Sequence, residues 1–207
     1  MNKAKDIIAN SGVKFGTSGA RGVVEQFTPP VCAAFTSAFI NAMRQDCNFK
    51  RISIAIDRRP SSPQMAAACC AAAKALGLEV EYFGVLPTPA LAYQSMQAKQ
   101  PAIMITGSHI PFDRNGIKFY RPDGEITKAD EAAILNSAAD VPNELQPGQP
   151  KTSTQAEQAY IGRYTGLVKP NLLQGKRVGI YQHSSAGRDL YTKLFSQLGA
   201  NVIPLGR

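Results

Sequence analysis

Apolar positions along the chain follow two alternating patterns. Short apolar runs, Ile52–Ile56, Glu79–Phe83 and Ala102–Ile105, are separated by longer stretches in which apolar residues keep helical spacing. The first such stretch opens at Thr28-Pro29, a capping residue followed by a proline suited to the first turn. It places Val31, Phe35, Ala38, Phe39, Ala42 and Met43 on one face. Ser62-Pro63 repeats the device ahead of a helix over Gln64–Leu76, which stops at Gly77. Thr88-Pro89 repeats it again ahead of Ala90–Ala98, and Thr127 with Asp130 predicts a capped fourth helix over Lys128–Ala139. Val13–Gly16 reads as a short strand running into a glycine-rich turn, Gly16–Gly22. Ile117–Tyr120 follows Ala102–Ile105 after too short a connection for a helical crossover, so the two are expected to pair antiparallel.

This alternation predicts an α/β fold: a mixed, mostly parallel sheet flanked by helices over residues 1–140. Residues 141–153 carry Pro142, Pro147, Gly148 and Pro150 and read as an interdomain linker. Beyond it the pattern starts again with a helix near Thr154–Leu167, a strand Arg177–Tyr181, a helix Asp189–Leu198 and a strand Asn201–Leu205. One strand, one helix and one strand make the start of a second, similar α/β domain, incomplete over residues 154–207. The expectation is a piece of a longer enzyme.

Composition narrows the picture. At 44% hydrophobic and 18% charged residues the chain is globular. The formal net charge of +8 suits anionic partners such as phosphate esters. Basic residues are scattered, with no stripe interleaved with aromatics, so nucleic acid is not an expected partner. Cys32, Cys47, Cys69 and Cys70 form no C-x-x-C pair and are expected to act as small hydrophobes in a reducing compartment. The first ten residues lack the apolar core of a signal peptide, and no apolar run nears the roughly 20 residues of a membrane span. The expected location is the cytoplasm, with no membrane partner.

Candidate chemistry concentrates in Ala102–Tyr120. The apolar run to Ile105 breaks into Thr106-Gly107-Ser108-His109, then resumes after Asn115-Gly116 in a run that carries Lys118. A hydroxyl at the carboxyl end of a buried strand lies where open α/β sheets bind ligands. Ser108 is a candidate nucleophile or phosphoryl carrier, and His109 and Lys118 are candidate proton handlers or phosphate partners. The residues alone read equally as a hairpin with ordinary loop chemistry. Lys118 could likewise be a solvent-facing lysine guarding an edge strand.

Thr106–Phe119, T-G-S-H-I-P-F-D-R-N-G-I-K-F, resembles the phosphoserine loop of the α-D-phosphohexomutases, the phosphomannomutase and phosphoglucomutase family. That loop typically reads T-A-S-H-N-P-x-x-x-N-G-x-K; Gly107 and Ile110 depart from it, and Ser108, His109, Pro111, Asn115, Gly116 and Lys118 match. The loop holding Gly16-Thr17-Ser18-Gly19-Ala20-Arg21-Gly22 is similar to the family's N-terminal loop. Asp57-x-Arg59-x-Ser61-Ser62 and Gly84-x-x-Pro87-Thr88-Pro89 are family-like as well, both with structural roles expected.

The resemblance implies interconversion of hexose 6-phosphate and hexose 1-phosphate, most closely as a phosphomannomutase. Ser108 would carry the phosphoryl group, Lys118 would act as acid/base or orient phosphate, His109 would orient phosphate or a sugar oxygen, and Arg21 would face the phosphoserine. Phosphorylated Ser108 would also be a Mg²⁺ ligand, together with aspartates of a D-G-D-x-D-R loop that this chain lacks. Hexose 1,6-bisphosphate would be activator and intermediate, and a phosphosugar the substrate. The family's sugar-reading and terminal phosphate loops are also absent, so the chain by itself is expected not to turn over. Phosphoglucosamine mutase and a non-catalytic phosphosugar-binding module are the alternatives. His183 is expected to be a loop residue without a catalytic role.

Overall fold

The computed structural model describes residues 3–16, 19–145 and 150–207. The chain begins with α1 (Ala4–Asn10) and two short strands, β1 (Lys14–Phe15) and β2 (Gly19–Val23). A single 3-10 turn, Val24–Gln26, leads into α2 (Pro29–Asp46). Then come β3 (Arg51–Ile56), α3 (Ser62–Ala75), β4 (Glu79–Val85), α4 (Thr88–Ala98), β5 (Ala102–Ile105), β6 (Arg114–Arg121), β7 (Gly124–Glu125) and α5 (Lys128–Leu135). The last elements are α6 (Gln155–Thr165), β8 (Arg177–Tyr181), α7 (Arg188–Gln197) and β9 (Asn201–Leu205).

The main sheet runs β1-β2-β6-β5-β3-β4, with β7 hairpinned onto β6. β4, β3 and β5 are parallel to one another, as their helical crossovers require. β6 is antiparallel to β5, as the short connection predicts, with Ile117 opposite Ile105 and Lys118 opposite Met104. β8 and β9 form a separate parallel pair joined through α7.

Alternation along the strands divides the core in two. Ile103, Ile105, Ile117 and Phe119 face α2 and α3, where Phe35, Phe39, Cys32, Cys69 and Ala72 are buried. Phe119 packs against Phe39 with ring centroids 4.9 Å apart and against Phe15 at 6.1 Å. Each buried phenylalanine contributes about 1.5–3 kcal/mol. Ala66, Cys69 and Ala73 on α3 are small enough for that helix to lie close on α2 and the sheet. Ala102, Met104 and Tyr120 face the other way, onto α4, and this second core continues into Tyr160, Ile161, Leu190 and Leu194 of α6 and α7.

Several expectations change. Gly19–Val23 is a strand rather than part of a turn, because Ala20, Arg21 and Gly22 pair with Ile117, Gly116 and Asn115. Thr17 and Ser18 of that expected turn lie outside the described residues. Asn115 and Gly116 lie inside β6 rather than in a turn ahead of it. The fourth helix ends at Leu135, short of Ala139. The carbonyls of Ser137 and Ala139 turn away to accept the free amides of Lys5 and Ala4 at 3.0 and 2.9 Å, the start of a first helix that the apolar pattern did not reveal. Thr127 and Asp130 do form the predicted reciprocal cap. The expected linker is not free of the fold. Val141 is buried, and Ser153 N donates to Tyr82 O at 2.8 Å on the outer edge of β4. Pro147 and Gly148 lie outside the described residues.

Candidate active site

The carboxyl ends of β3 and β5 lie side by side, and the loops that leave them build the site. Ile105 ends β5 fully buried; three residues later Ser108 is exposed. The backbone makes this exit through a left-handed conformation at Ser108, φ 52°, a strained state for a residue with a side chain. The strain is held by its neighbours. Ser108 N donates to Thr106 Oγ1 at 2.9 Å, and Thr106 N donates to Gly116 O at 3.0 Å.

Asp57, just past β3, fixes the next point. Its Oδ2 accepts from Gly107 N at 2.9 Å, while Oδ1 accepts from Ser62 Oγ at 2.6 Å and Arg59 N at 2.9 Å. Asn115 is fully buried and its amide donates to Ser61 Oγ at 2.8 Å and Ser62 Oγ at 3.0 Å, tying β6 to the start of α3. Arg59 closes the far side of the loop. Its guanidinium donates to the carbonyls of Ile110 at 2.6 Å, Pro111 at 2.8 Å and Arg114 at 3.0 Å. It lies directly on Gly107, where an added Cβ would fall 1.9 Å from Arg59 Nε. Gly116 is needed for a similar reason, since a Cβ there would stand 2.8 Å from Ala20 O.

Ser108 Oγ itself meets His109 Nδ1 at 3.2 Å, both side chains exposed. It opens onto a cleft of about 500 Å³ lined also by Asp57, Arg58, Arg59, Thr106 and Phe112, and by Ser184, Ser185 and Ala186 from the turn after β8.

Lys118 is half-buried on β6, pointing opposite to the buried Ile117 and Phe119 as strand alternation predicts. It lines a different hollow from Ser108, shared with Thr88, Pro89, Met96, Tyr120 and Glu125. Burial, with a smaller push from Glu125, raises the Tyr120 phenol there to about 12. Arg21 pairs with Gly116 across the β2–β6 ladder, and Gly19 pairs with Lys118. Arg21 and Lys118 are therefore diagonal neighbours on one face of the sheet. The structure thus brings Ser108 with His109, and Arg21 with Lys118, as two adjoining pairs rather than one cluster.

His183 stacks on Tyr181 at 6.1 Å and meets Ser184 Oγ at 2.9 Å without lining the Ser108 cleft, in keeping with a loop residue. Sequence reasoning missed that Ser184–Ala186 form a wall of this cleft. Their only signal was a polar turn at the end of a strand.

A divalent metal would find little here. Among the described residues no three His, Cys, Asp or Glu side chains converge. Asp57 has both oxygens engaged as above.

Comparison with known proteins gives the family. The family described as phosphoglucomutase/phosphomannomutase, alpha/beta/alpha domain I, matches residues 12–144. A phosphomannomutase of Salmonella muenchen is 57% identical over 98% of this chain and 42% of its own length. A phosphoglucosamine mutase of Alkaliphilus oremlandii is 33% identical over 93% of this chain and 45% of its own length. A phosphoglucomutase/phosphomannomutase family protein from Burkholderia thailandensis shares the fold with TM-score 0.74 at 20% identity, over 99% of this chain and 44% of its own. The chain spans less than half the length of these relatives. With that match running through the strand-end loops that hold Ser108, the chain belongs to the phosphoglucomutase/phosphomannomutase family.

Proposed function

We propose that this chain supplies the phosphoryl-carrying domain of a phosphohexomutase that interconverts hexose 6-phosphate and hexose 1-phosphate, with a phosphomannomutase as the nearest reading. The observation that carries it is Ser108: an exposed hydroxyl on a backbone held in a strained conformation by Thr106, at the mouth of a cleft, on a loop tied down by Asp57 and Arg59. The 57% identical phosphomannomutase favours mannose over the alternatives of glucose and glucosamine. Turnover is assigned to the full-length protein. The expected division is a first α/β domain to about residue 140, a linker over 141–153 and the start of a second domain from 154, in keeping with the separate β8–β9 sheet.

In the forward half-reaction a hydroxyl of the sugar monophosphate attacks the phosphorus on Ser108. The new bond is P–O(sugar); the bond broken is P–O(Ser108). The proton leaving the sugar hydroxyl goes to a base, and the departing Ser108 oxygen takes a proton as its bond to phosphorus breaks; when the bisphosphate has turned, Ser108 gives up that proton as it attacks the second phosphoryl, and the sugar oxygen that leaves is protonated in its place. Lys118 is assigned the base and acid, His109 the orientation of the phosphate beside Ser108, and Arg21 the neutralisation of its oxygens. Mg²⁺, a hard cation, would take a phosphoserine oxygen as one ligand and supply charge neutralisation; its other ligands would come from outside this chain.

Intact-mass analysis and peptide mapping of protein purified without phosphatase treatment is expected to find phosphate on Ser108. Phosphate mapped to another serine and absent from Ser108 would overturn the assignment.

A further inference from the structure

The segment that follows β3 reaches in two directions. Asp57 and Arg59 grip the Ser108 loop, as described. Arg58, between them, turns the other way. Its Nε donates to Ser185 O at 3.1 Å and its Nη2 donates to Asp189 Oδ2 in the first turn of α7. Asp189 is itself held by Arg207 at 2.9 Å through its other oxygen. Ser184, Ser185 and Ala186 are the cleft wall contributed by the β8–α7 turn. One side chain from the Ser108 side of the cleft therefore fixes the opposite wall at two points.

A second attachment lies elsewhere. Tyr160, Ile161, Leu190 and Leu194 of α6 and α7 bury against Phe83, Leu86 and Leu91 of the main sheet layer. That apolar seat holds the two helices whether or not Arg58 is present. The Arg58–Asp189 pair is partly exposed, 24% and 44%, so it is worth little as stability. Its two-point, directional geometry is suited to fixing a position instead.

We propose that Arg58 is a positioning residue for phosphoryl transfer: it latches the Ser184–Ala186 wall across the cleft from Ser108, so that a phosphosugar is held between the two. The inference rests on the function proposed above. It makes the first and second units one working surface at this edge.

Two measurements test it separately. In the 207-residue chain, Arg58→Met is expected to speed amide exchange at Ser185 and Arg188, whose amides bond to Gln182 O and Ser185 O, and to leave the α6 amides and the melting temperature nearly unchanged. Unchanged exchange at the turn overturns the latch, whatever the protein's activity. In the full-length mutase the same variant is expected to lower kcat/KM by about 10- to 100-fold, the scale of a displacement near 1 Å. Arg58→Lys should recover part of the loss, because an ammonium can serve Asp189 without also bridging Ser185. Adding Asp189→Asn to Arg58→Met should cost nothing further. Faster exchange with unchanged kinetics, or independent additive losses from the two substitutions, overturns the positioning role. A full-length wild-type protein without mutase activity refutes the function on which this rests, and the exchange result then stands by itself.

Discussion

The two ends of the main sheet carry comparable polar clusters and differ in one respect. At the amino ends of β3 and β4, Gln100 Nε2 donates to Ser53 Oγ at 2.7 Å and Glu81 Oε2 at 2.6 Å, and Ser95 Oγ donates to Gln100 O at 2.6 Å. Arg51 covers the cluster with ion pairs to Glu79 and Glu81. Each group named there has a partner and the network closes on itself. At the carboxyl ends, Asp57, Ser62, Asn115 and Arg59 form an equally dense network, yet its outcome is a backbone turned outward at Ser108. Buried polar groups are present at both ends because unpaired ones would be costly. Both networks border a hollow, but the carboxyl-end one turns a reactive hydroxyl out into it, whereas the amino-end one engages Ser53, Glu81 and Gln100 with one another.

Breaking the working end should therefore cost activity out of proportion to stability. The largest expected effect after Ser108 itself is at Lys118. Lys118→Met in the full-length enzyme should lower single-turnover phosphoryl transfer by about 100- to 10,000-fold, the usual contribution of an acid/base group. Its stability in urea should change by about 0.5 kcal/mol or less, as for a partly solvated side chain. Because Lys118 lines a hollow separate from the Ser108 cleft, this is also the sharpest test of whether the two meet during turnover. Near wild-type transfer would make Lys118 a surface lysine and leave Ser108 needing another proton partner.

A paired substitution compares the two ends directly. Asp57→Asn weakens the charge-assisted hold on Gly107 and Arg59 and should cost about 2–3 kcal/mol of stability. Gln100→Leu strands Ser53 and Glu81 and should cost about 1–3 kcal/mol. The stabilities should thus be similar. Turnover should fall about 100-fold in the first, through displacement of the Ser108 loop, and stay within about twofold in the second, measured below both melting temperatures. Equal losses of activity would mean that the amino-end cluster also shapes the site.

The same contrast explains what the sequence made legible. Helices opened near Thr-Pro or Ser-Pro and ended at Gly77 were readable, because proline suits the first turn and Gly77 takes the left-handed backbone after the last; the expected side-chain caps do not form, since Thr28 makes no cap bond and Ser62 and Thr88 are already the first helical residues. So was the antiparallel return of β6, which follows from connection length. The position of Ser108 at a strand's end, and its neighbour His109, could be read because the polar break after Ile105 is abrupt. β2 was hidden, because glycine and arginine have no strand-like pattern and the strand exists only through its pairing with Gly116 and its neighbours. α1 was hidden for a related reason, as its first amides are satisfied by the distant carbonyls of Ser137 and Ala139. The support of the loop by Arg59 was visible as a spacing, Asp57-x-Arg59, but its three carbonyl partners depend on tertiary contact. The Ser184–Ala186 wall depends on docking of a distant segment, which no local pattern encodes.

The smallest effect concerns the interior between the two ends. Burial pushes the Cys70 thiol from 9.0 to about 12, and the Tyr120 phenol from 10.0 to about 12. For both groups the folded state favours the neutral form, so below pH 9 neither distinguishes folded from unfolded chains. As pH rises through 9 the unfolded chain releases the Cys70 proton while the folded chain keeps it, and stability falls; Tyr120 adds its share above 10. Each group contributes at most about 1.4 kcal/mol per pH unit, the free energy of a tenfold change in proton activity. Cys32 is pushed up as well, by its pairing with Cys69 and by burial, so the alkaline loss is shared among several groups. Cys70→Ala should flatten the decline of unfolding free energy between about pH 9 and 10 by about 1 kcal/mol per pH unit, whatever it does to stability at neutral pH. An unaltered slope would mean that the Cys70 thiol ionises as readily in the folded protein as in the unfolded chain.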